Sequence, residues 1–369
     1  MSLGTALKTS VKPFKITVIG SGNWGTTIAK IVSENTVRHP TLFEPRVNMW
    51  VHEEMIEGRK LTEIINENHE NVKYLPGIKL PENLRAVPDL VEAVKNSNLL
   101  VFNIPHQFLR NICKQLEGHV PKTVRAISCL KGIDVSASGC LTLAEYITQT
   151  LGIHCGALSG ANLAPEIAEE KFSETTVAYR LPEDFKAGSD VDQAMLFKLF
   201  HRPYFHVNVI DDVTGICLAG ALKNVVAIAA GLVDGKGWGD NAKAAIMRRG
   251  LLEMVSFART FFSDCNPKTF TEESAGVADL ITSCAGGRNH RIGREFARTG
   301  KPMRQLEAEL LNGQSAQGII TAREVYEFLE AKNALKDFPL LIATYNIVYN
   351  GLEVDELPQL LEKIEKKTY

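Results

Sequence analysis

The 369-residue sequence predicts an α/β chain in two parts, an N-terminal doubly wound sheet followed by an all-α C-terminal domain. Three observations predict it. Short β-branched runs alternate with helical stretches from residue 14 to about 210, the pattern of a mainly parallel sheet covered on both faces. Beyond Asp212 only helical periodicity persists. A glycine-rich turn joins the first strand directly to the first helix.

Residues 1–13 lack the apolar stretch of a secretory signal and read as a flexible lead-in, and a cytoplasmic chain is the expectation. The run 14–19 is the first strand, and a helix covers 26–32. Residues 33–46 read as an insertion before a second strand at 47–51. A helix at 91–95 precedes the strand 99–104, which Pro105 stops. Strands at 124–130, 155–159, 175–179 and 204–210 complete the sheet, with a helix at 141–151 between two of them. The helical half then runs through 213–233, 241–262, 304–311, 321–331 and 339–349. In 241–262, Ala245, Leu252, Val255 and Phe262 recur on one helical face. The predicted division is 1–13, 14–211 and 212–369, and the absence of a low-complexity linker predicts tightly coupled halves.

Composition narrows the function. Hydrophobic residues make up 45% and charged residues 23%, an ordinary globular balance. A net charge of −2 argues against a nucleic-acid partner. Seven scattered cysteines, with no CxxC pair and no zinc-ligand spacing, predict reduced core thiols and no metal. The segment 213–233 is long enough to span a bilayer, but Lys223 stands at its centre. A charge there costs about 2.5–3.5 kcal/mol on a translocon scale, so a buried protein helix fits better than a membrane span.

Three constellations carry chemistry. In Gly20-Ser21-Gly22-Asn23-Trp24-Gly25 the first glycine permits the tight turn. The second lets a pyrophosphate approach the backbone, and the third lets helix and sheet pack, which makes the N-terminal part Rossmann-type. The amides opening the helix suit a phosphate. The second strand ends at His52-Glu53-Glu54 with no arginine before Arg59, so a ribose hydroxyl fits better than a 2′-phosphate and NAD better than NADP. Those two glutamates also fit a solvated helix start. Lys131 follows a strand at the end where such sheets bind ligands, and fits either a ligand contact or an exposed turn. Phe108, in Pro105-His106-Gln107-Phe108, could flank a planar ring or simply pack.

The second constellation is Lys223 with Asn224. Lys223 is the only charge between Asp212 and Asp234, on a helix apolar nearly all round. Burial lowers a lysine's pKa toward the range a general acid–base needs. The third is the segment 276–289, where Asp279 is a lone charge in the apolar stretch before Gly286 and suited to Lys223. Gly286-Gly287-Arg288-Asn289 ends it with a planar fork and a neutral donor that fit a phosphate, or else a flexible surface turn. Arg291 and Arg294 read as surface charge on the helix that follows.

Together these motifs resemble the NAD-dependent glycerol-3-phosphate dehydrogenase family, in its eukaryotic type. The resemblance rests on GSGNWG (20–25), LPGIKLP (75–81), PHQF (105–108), LKGID (130–134), GALKNVVAIAAG (220–231), GVADLIT (276–282), GGRN (286–289) and LNGQSAQG (311–318), in order over nearly the whole chain. The QSAQG form is one associated with fungal members. The resemblance implies that Lys223 donates a proton to the carbonyl oxygen of dihydroxyacetone phosphate, held by Asp279, with Lys131 touching the substrate near the nicotinamide. It implies substrate contacts for Asn224, Ser283, Arg288 and Asn289. It further implies NAD contacts for Gly20, Ser21, Gly22, Asn23, Trp24, Gly25, Phe108, Lys131, Ala164, Arg288 and Gln317, and a homodimer. Three positions depart from relatives: His52 stands where many have an aromatic, Ser283 where many have threonine, and Ser315 where animal forms have lysine. Two other readings share the fold: a related 3-hydroxyacid or polyol dehydrogenase, and a catalytically silent NAD-sensing subunit. GGRN argues against a neutral polyol, and the presence of Lys131, Lys223 and Asp279 argues against a silent subunit.

Overall fold

The computed structural model describes residues 12–136, 139–311 and 315–365. Most of the predicted lead-in, residues 312–314 of the LNGQSAQG motif and the last four residues lie outside them.

Eight strands form the central sheet: β1 (Ile16–Ile19), β2 (Val47–Trp50), β3 (Leu84–Val87), β4 (Leu99–Phe102), β5 (Arg125–Ser128), β6 (His154–Ser159), β7 (Ser173–Ala178) and β8 (Phe205–Ile210). Their order is β3-β2-β1-β4-β5-β6-β7-β8. The first six are parallel, β7 runs antiparallel to β6, and β8 pairs parallel to β7. Every residue of β1, β4 and β5 is buried, because helices cover both faces. Strand order reverses between β1 and β4, which opens a crevice beyond Ile19 and Phe102.

Several sequence expectations need correction. Residues 33–38 are no insertion; they finish helix α1 (Asn23–Arg38). Ser33, Asn35 and Thr36 are polar yet buried there, and the Asn35 amide donates to the Leu199 and His201 carbonyls at 2.8 and 3.0 Å. Buried polar groups satisfied by distant backbone hid the helical stripe. The helix expected from 141 starts later, as α2 (Leu143–Leu151), with Thr142 and Glu145 forming a capping box. Residues Gly139–Thr142 instead pair with Ile133–Ser136 in a hairpin. Strand β3, Leu-Arg-Ala-Val, was not foreseen.

After Ile210 the described chain is helical. Asp212 caps α3 (Val213–Lys236), its Oδ1 accepting from the Gly215 amide at 2.8 Å. Its Oδ2 accepts from the Asn266 amide and the Thr269 hydroxyl at 2.9 and 2.6 Å, tying the helix start to the segment beyond the helix Asp240–Phe261. Helix α3 is long and apolar enough to cross a membrane, but its apolar window is entirely buried inside the protein. Around it pack α4 (Asp240–Phe261), α5 (Asp279–Gly286), α6 (Arg288–Thr299), α7 (Gln317–Ala331) and α8 (Pro339–Tyr349).

Backbone contact sets the α3–α6 crossing. A Cβ on Gly231 would stand 2.2 Å from the His290 carbonyl oxygen, and one on Gly293 2.3 Å from that of Ile228. The glycines bring Asn289 and Arg288, at the start of α6, close to the middle of α3. All seven cysteines are free thiols, five of them buried.

Candidate active site

The three glycines after β1 are glycines for different reasons. Gly20 has φ +114°, and a Cβ there would lie 2.5 Å from the Asn103 carbonyl oxygen. A Cβ on Gly25 would lie 2.3 Å from the Gly20 carbonyl oxygen, so this position fixes the approach of α1 to the turn. Gly22 has an ordinary φ of −62° and no protein atom within 4 Å of a Cβ placed there. Neither backbone conformation nor internal packing requires glycine at this position, whereas close approach of a phosphate does. Helix α1 starts on Gly22 without a side-chain cap from it, and the Asn23 side chain turns back to its neighbour, the Trp24 amide, at 2.8 Å.

Asn71 escaped the sequence reading. It is fully buried, and its amide donates to the Ser21 carbonyl and the Thr26 hydroxyl at 2.9 and 2.8 Å, pinning the turn. Its polar surroundings in the sequence gave no signal. The second-strand glutamates are not a helix start. Glu53 accepts from the Thr62 amide and hydroxyl at 3.2 and 2.6 Å, capping the helix Leu61–Asn68 from outside. Glu54 accepts from the Tyr74 hydroxyl at 2.6 Å and pairs with Lys73. His52 is exposed, its ring edge-on to Trp50.

Lys223 and Asp279 meet as their isolation in sequence suggested, with Nζ donating to Oδ1 at 2.8 Å. The same ammonium donates to the Ser283 hydroxyl, one turn along α5. Lys131 was expected near the substrate but not on this carboxylate; its Nζ donates to Asp279 Oδ2 at 2.7 Å and to the Gly160 carbonyl at 3.4 Å. One carboxylate thus holds two ammonium groups, one from each domain. Lys223 and Asp279 are 5% and 3% exposed, while the Lys131 side chain keeps 29% of its surface open. Burial lowers the Lys223 pKa, and Lys131 lowers it further, against the upward pull of Asp279; it settles at about 8. For Asp279, burial pushes upward but the two lysines outweigh it, and the carboxyl stays below its usual range. Two further buried oxygens were missed from sequence, one beside Lys131 and one at the glycine turn. Ser159 Oγ, at the end of β6, is buried without a hydrogen-bond partner, 3.1 Å from where a Gly220 Cβ would stand. Asn103 Oδ1, beyond β4, is likewise buried without one.

A chain of amides continues from this centre. The Asn224 amide donates to the Gly220 carbonyl at 3.1 Å, the Asn289 amide to Asn224 Oδ1 at 2.9 Å, and the Gly318 amide to Asn289 Oδ1 at 2.8 Å. Arg288 is exposed at the first position of α6, with Gly287 as an N-cap that offers no side-chain oxygen. Gln317 opens α7 and lies 3.0 Å from His106 Nδ1. Phe108 is 52% exposed, too open for a core aromatic, and the buried Ala164 accepts from the Thr27 hydroxyl at 3.3 Å. The structure therefore joins Lys131, Lys223, Asp279 and Ser283 directly, with Asn224, Asn289 and the start of α7 linked behind them. Arg291 and Arg294 are exposed on α6, as expected. Among the described residues no group of three metal-ligating side chains occurs.

A switch-point crevice, a glycine turn open to phosphate and a lysine tuned near neutrality make this a dinucleotide-dependent oxidoreductase. Models of known families refine that class. Residues 15–185 match the NAD-dependent glycerol-3-phosphate dehydrogenase N-terminus and residues 212–359 its C-terminus. The chain is 65% identical to the glycerol-3-phosphate dehydrogenase [NAD(+)] of Candida tropicalis, over 95% of this chain and 90% of that one. It is 60% identical to a Yarrowia lipolytica enzyme of the same name, over 95% and 88%. The solved glycerol-3-phosphate dehydrogenase of Saccharomyces cerevisiae superposes with a TM-score of 0.90 at 60% identity, covering 95% of this chain and all of the other. The chain belongs to the NAD-dependent glycerol-3-phosphate dehydrogenase family, whose members oxidise or form a CH–OH group with NAD.

Proposed function

We propose that the chain interconverts dihydroxyacetone phosphate and sn-glycerol 3-phosphate with Lys223 as the general acid and base. The observation that carries this is a buried lysine, with a pKa near 8, sharing the Asp279 carboxylate with Lys131. NAD, when bound, supplies or accepts the hydride. The chain's residues supply everything else. Lys223 gives its proton to the substrate carbonyl oxygen and takes it back in the oxidation direction. Asp279 keeps the ammonium in place and keeps it charged. Lys131, reached by solvent, steadies negative charge developing on the same oxygen.

The residues present fit the cofactor. Gly22 leaves its Cα face open beside the start of α1, and the exposed Phe108 and the half-buried Gln317 stand on opposite sides of the domain boundary. Gly20 to Gly25, Phe108, Lys131, Ala164, Arg288 and Gln317 are assigned to NAD on this basis and on the family resemblance. Asn224, Ser283, Arg288 and Asn289 are assigned to substrate, the last two toward the phosphate. The units 14–211 and 212–369 then hold cofactor and substrate respectively. A cytoplasmic homodimer completes the reading, and light scattering should return twice the 40.7 kDa chain mass. A monomer mass would remove the dimer from it.

The decisive assay follows NADH absorbance with dihydroxyacetone phosphate, and in parallel with NADPH and with unphosphorylated dihydroxyacetone. Turnover is expected with NADH and the phosphate ester alone. Equal use of dihydroxyacetone would favour the polyol reading, and NADH binding without turnover the silent-sensor reading. Arg288→Ala should lower kcat/KM for the phosphate ester by roughly 10–100-fold, the size of a lost charge-assisted hydrogen bond. An unchanged value would take Arg288 out of the phosphate site.

A further inference from the structure

We propose that His106 is a positioning residue of the cofactor site, holding the Gln317 amide in one rotation across the domain boundary. This rests on the assignment of Gln317 to NAD. His106 begins the short turn His106–Phe108 just beyond β4, on the sheet side of the crevice. Gln317 is the first residue of α7, on the helical side. Their side chains meet with Gln317 Nε2 3.0 Å from His106 Nδ1.

An amide nitrogen can only donate, so Nδ1 must be the bare acceptor and the ring proton must sit on Nε2. Nε2 in turn faces Glu324 Oε1 at 3.9 Å, one helical face along α7. On its other side the ring lies against Gly132, where a Cβ would come within 2.8 Å of Nδ1. Gly132 directly follows Lys131, and the residue after Gln317 gives its amide to Asn289. One imidazole therefore touches the turn that carries Lys131 and the helix start that carries Gln317. Its side chain is 14% exposed, so water competes little for Nδ1.

Protonation would put an N–H of the ring against the N–H groups of the amide, and Gln317 would have to turn over or withdraw. The groups facing the ring are Glu324 on α7, Arg110 and Asp134, which pair at 2.6 Å, and Arg323 and Glu327 along the wall of an adjoining cavity of about 290 Å³. Burial keeps the imidazole below its usual pKa, with Asp134 opposing and Arg110 adding to the effect, while burial pushes the Glu324 carboxyl up to about 7. The acceptor form is thus the one present at neutral pH.

The test measures the NADH dissociation constant by nucleotide fluorescence, alongside kcat, for His106→Leu, His106→Asn, Gln317→Leu and the double variant His106→Leu with Gln317→Leu. His106→Leu is expected to weaken NADH binding by about three- to tenfold, the scale of one hydrogen bond, with kcat at saturation little changed. His106→Asn, which offers an oxygen near the Nδ1 position, should restore most of the affinity. The leucine at 106 should add nothing once Gln317 is already leucine. In the unmodified protein, NADH binding should weaken on the acid side of the ordinary imidazole range, and that limb should vanish in His106→Asn. Unaltered affinity in His106→Leu, or the same penalty with and without Gln317, would overturn the proposal. If Gln317→Leu alone leaves NADH binding unaltered, the assignment of Gln317 itself fails and the proposal goes with it. Should His106→Leu not fold, the acid limb of the unmodified protein and its loss in His106→Asn still decide the matter.

Discussion

Lys223 holds its proton less tightly than an exposed lysine because burial penalises the ammonium more than Asp279 rewards it. The consequence is a pH signature with opposite signs in the two directions. With Lys223 as the proposed acid and base, reduction needs the ammonium, so its kcat/KM should fall as pH rises through about 8; oxidation needs the neutral amine and should rise through the same pH. Asp279→Asn removes the group that favours the charged form, leaving Lys131 beside an uncompensated Lys223. Both limbs should then move to lower pH, which initial rates across pH 6–10 would show; limbs that stay in place would separate Asp279 from the proton. At this scale the sequence was informative where a residue contradicted its surroundings. Lys223 and Asp279 stood out as single charges in apolar runs, and each proved to be the other's partner. Lys131 carried no such contrast, and its place on the same carboxylate depends on a contact between residues 148 apart in the chain. Asn71 and Ser159 were invisible because an ordinary polar residue in an ordinary context gives no hint of burial.

Elements place these residues, and the closest placement is the crossing of α3 and α6. Gly231 and Gly293 let backbone meet backbone, so the start of α6 reaches the Asn224 side chain. Gly231→Ala would drive a methyl group into the His290 carbonyl, which cannot rotate away as a side chain would. A destabilisation of about 1–3 kcal/mol is expected, read as a lower Tm, with a raised KM for dihydroxyacetone phosphate because Asn289 shifts. An unchanged Tm would mean that the crossing is looser than the distances indicate. The long apolar helix was readable from composition, and its burial inside the protein follows from Gly and Ala in place of bulkier side chains. The end of α1, the strand β3 and the hairpin before α2 were not readable. Buried polar residues masked the first, and the others lack the continuous apolar run that marked the equally short central strands.

Over the whole molecule, a chain of net charge −2 gathers Lys131 and Lys223 on one buried aspartate at the boundary of its two parts. The parallel sheet brings the glycine turn and Lys131 to one edge, and the helical part returns Lys223, Asp279 and Asn289 to face them. That division was legible because strand periodicity stops at residue 210 and, among the described residues, no strand follows. The depth of the coupling was not, since contacts such as Lys131 to Asp279 and His106 to Gln317 join residues that no local pattern connects. The central claim is that a buried lysine, presented by the helical part to a cofactor held by the sheet, moves the proton. Comparing kcat at saturating NADH and dihydroxyacetone phosphate for the unmodified protein and Lys223→Ala tests it most directly, with NADH affinity measured on the same samples. A loss of about 10²–10⁴-fold in kcat with NADH affinity intact is the expected result. Turnover within a fewfold of the unmodified protein would show that the proton comes from another group.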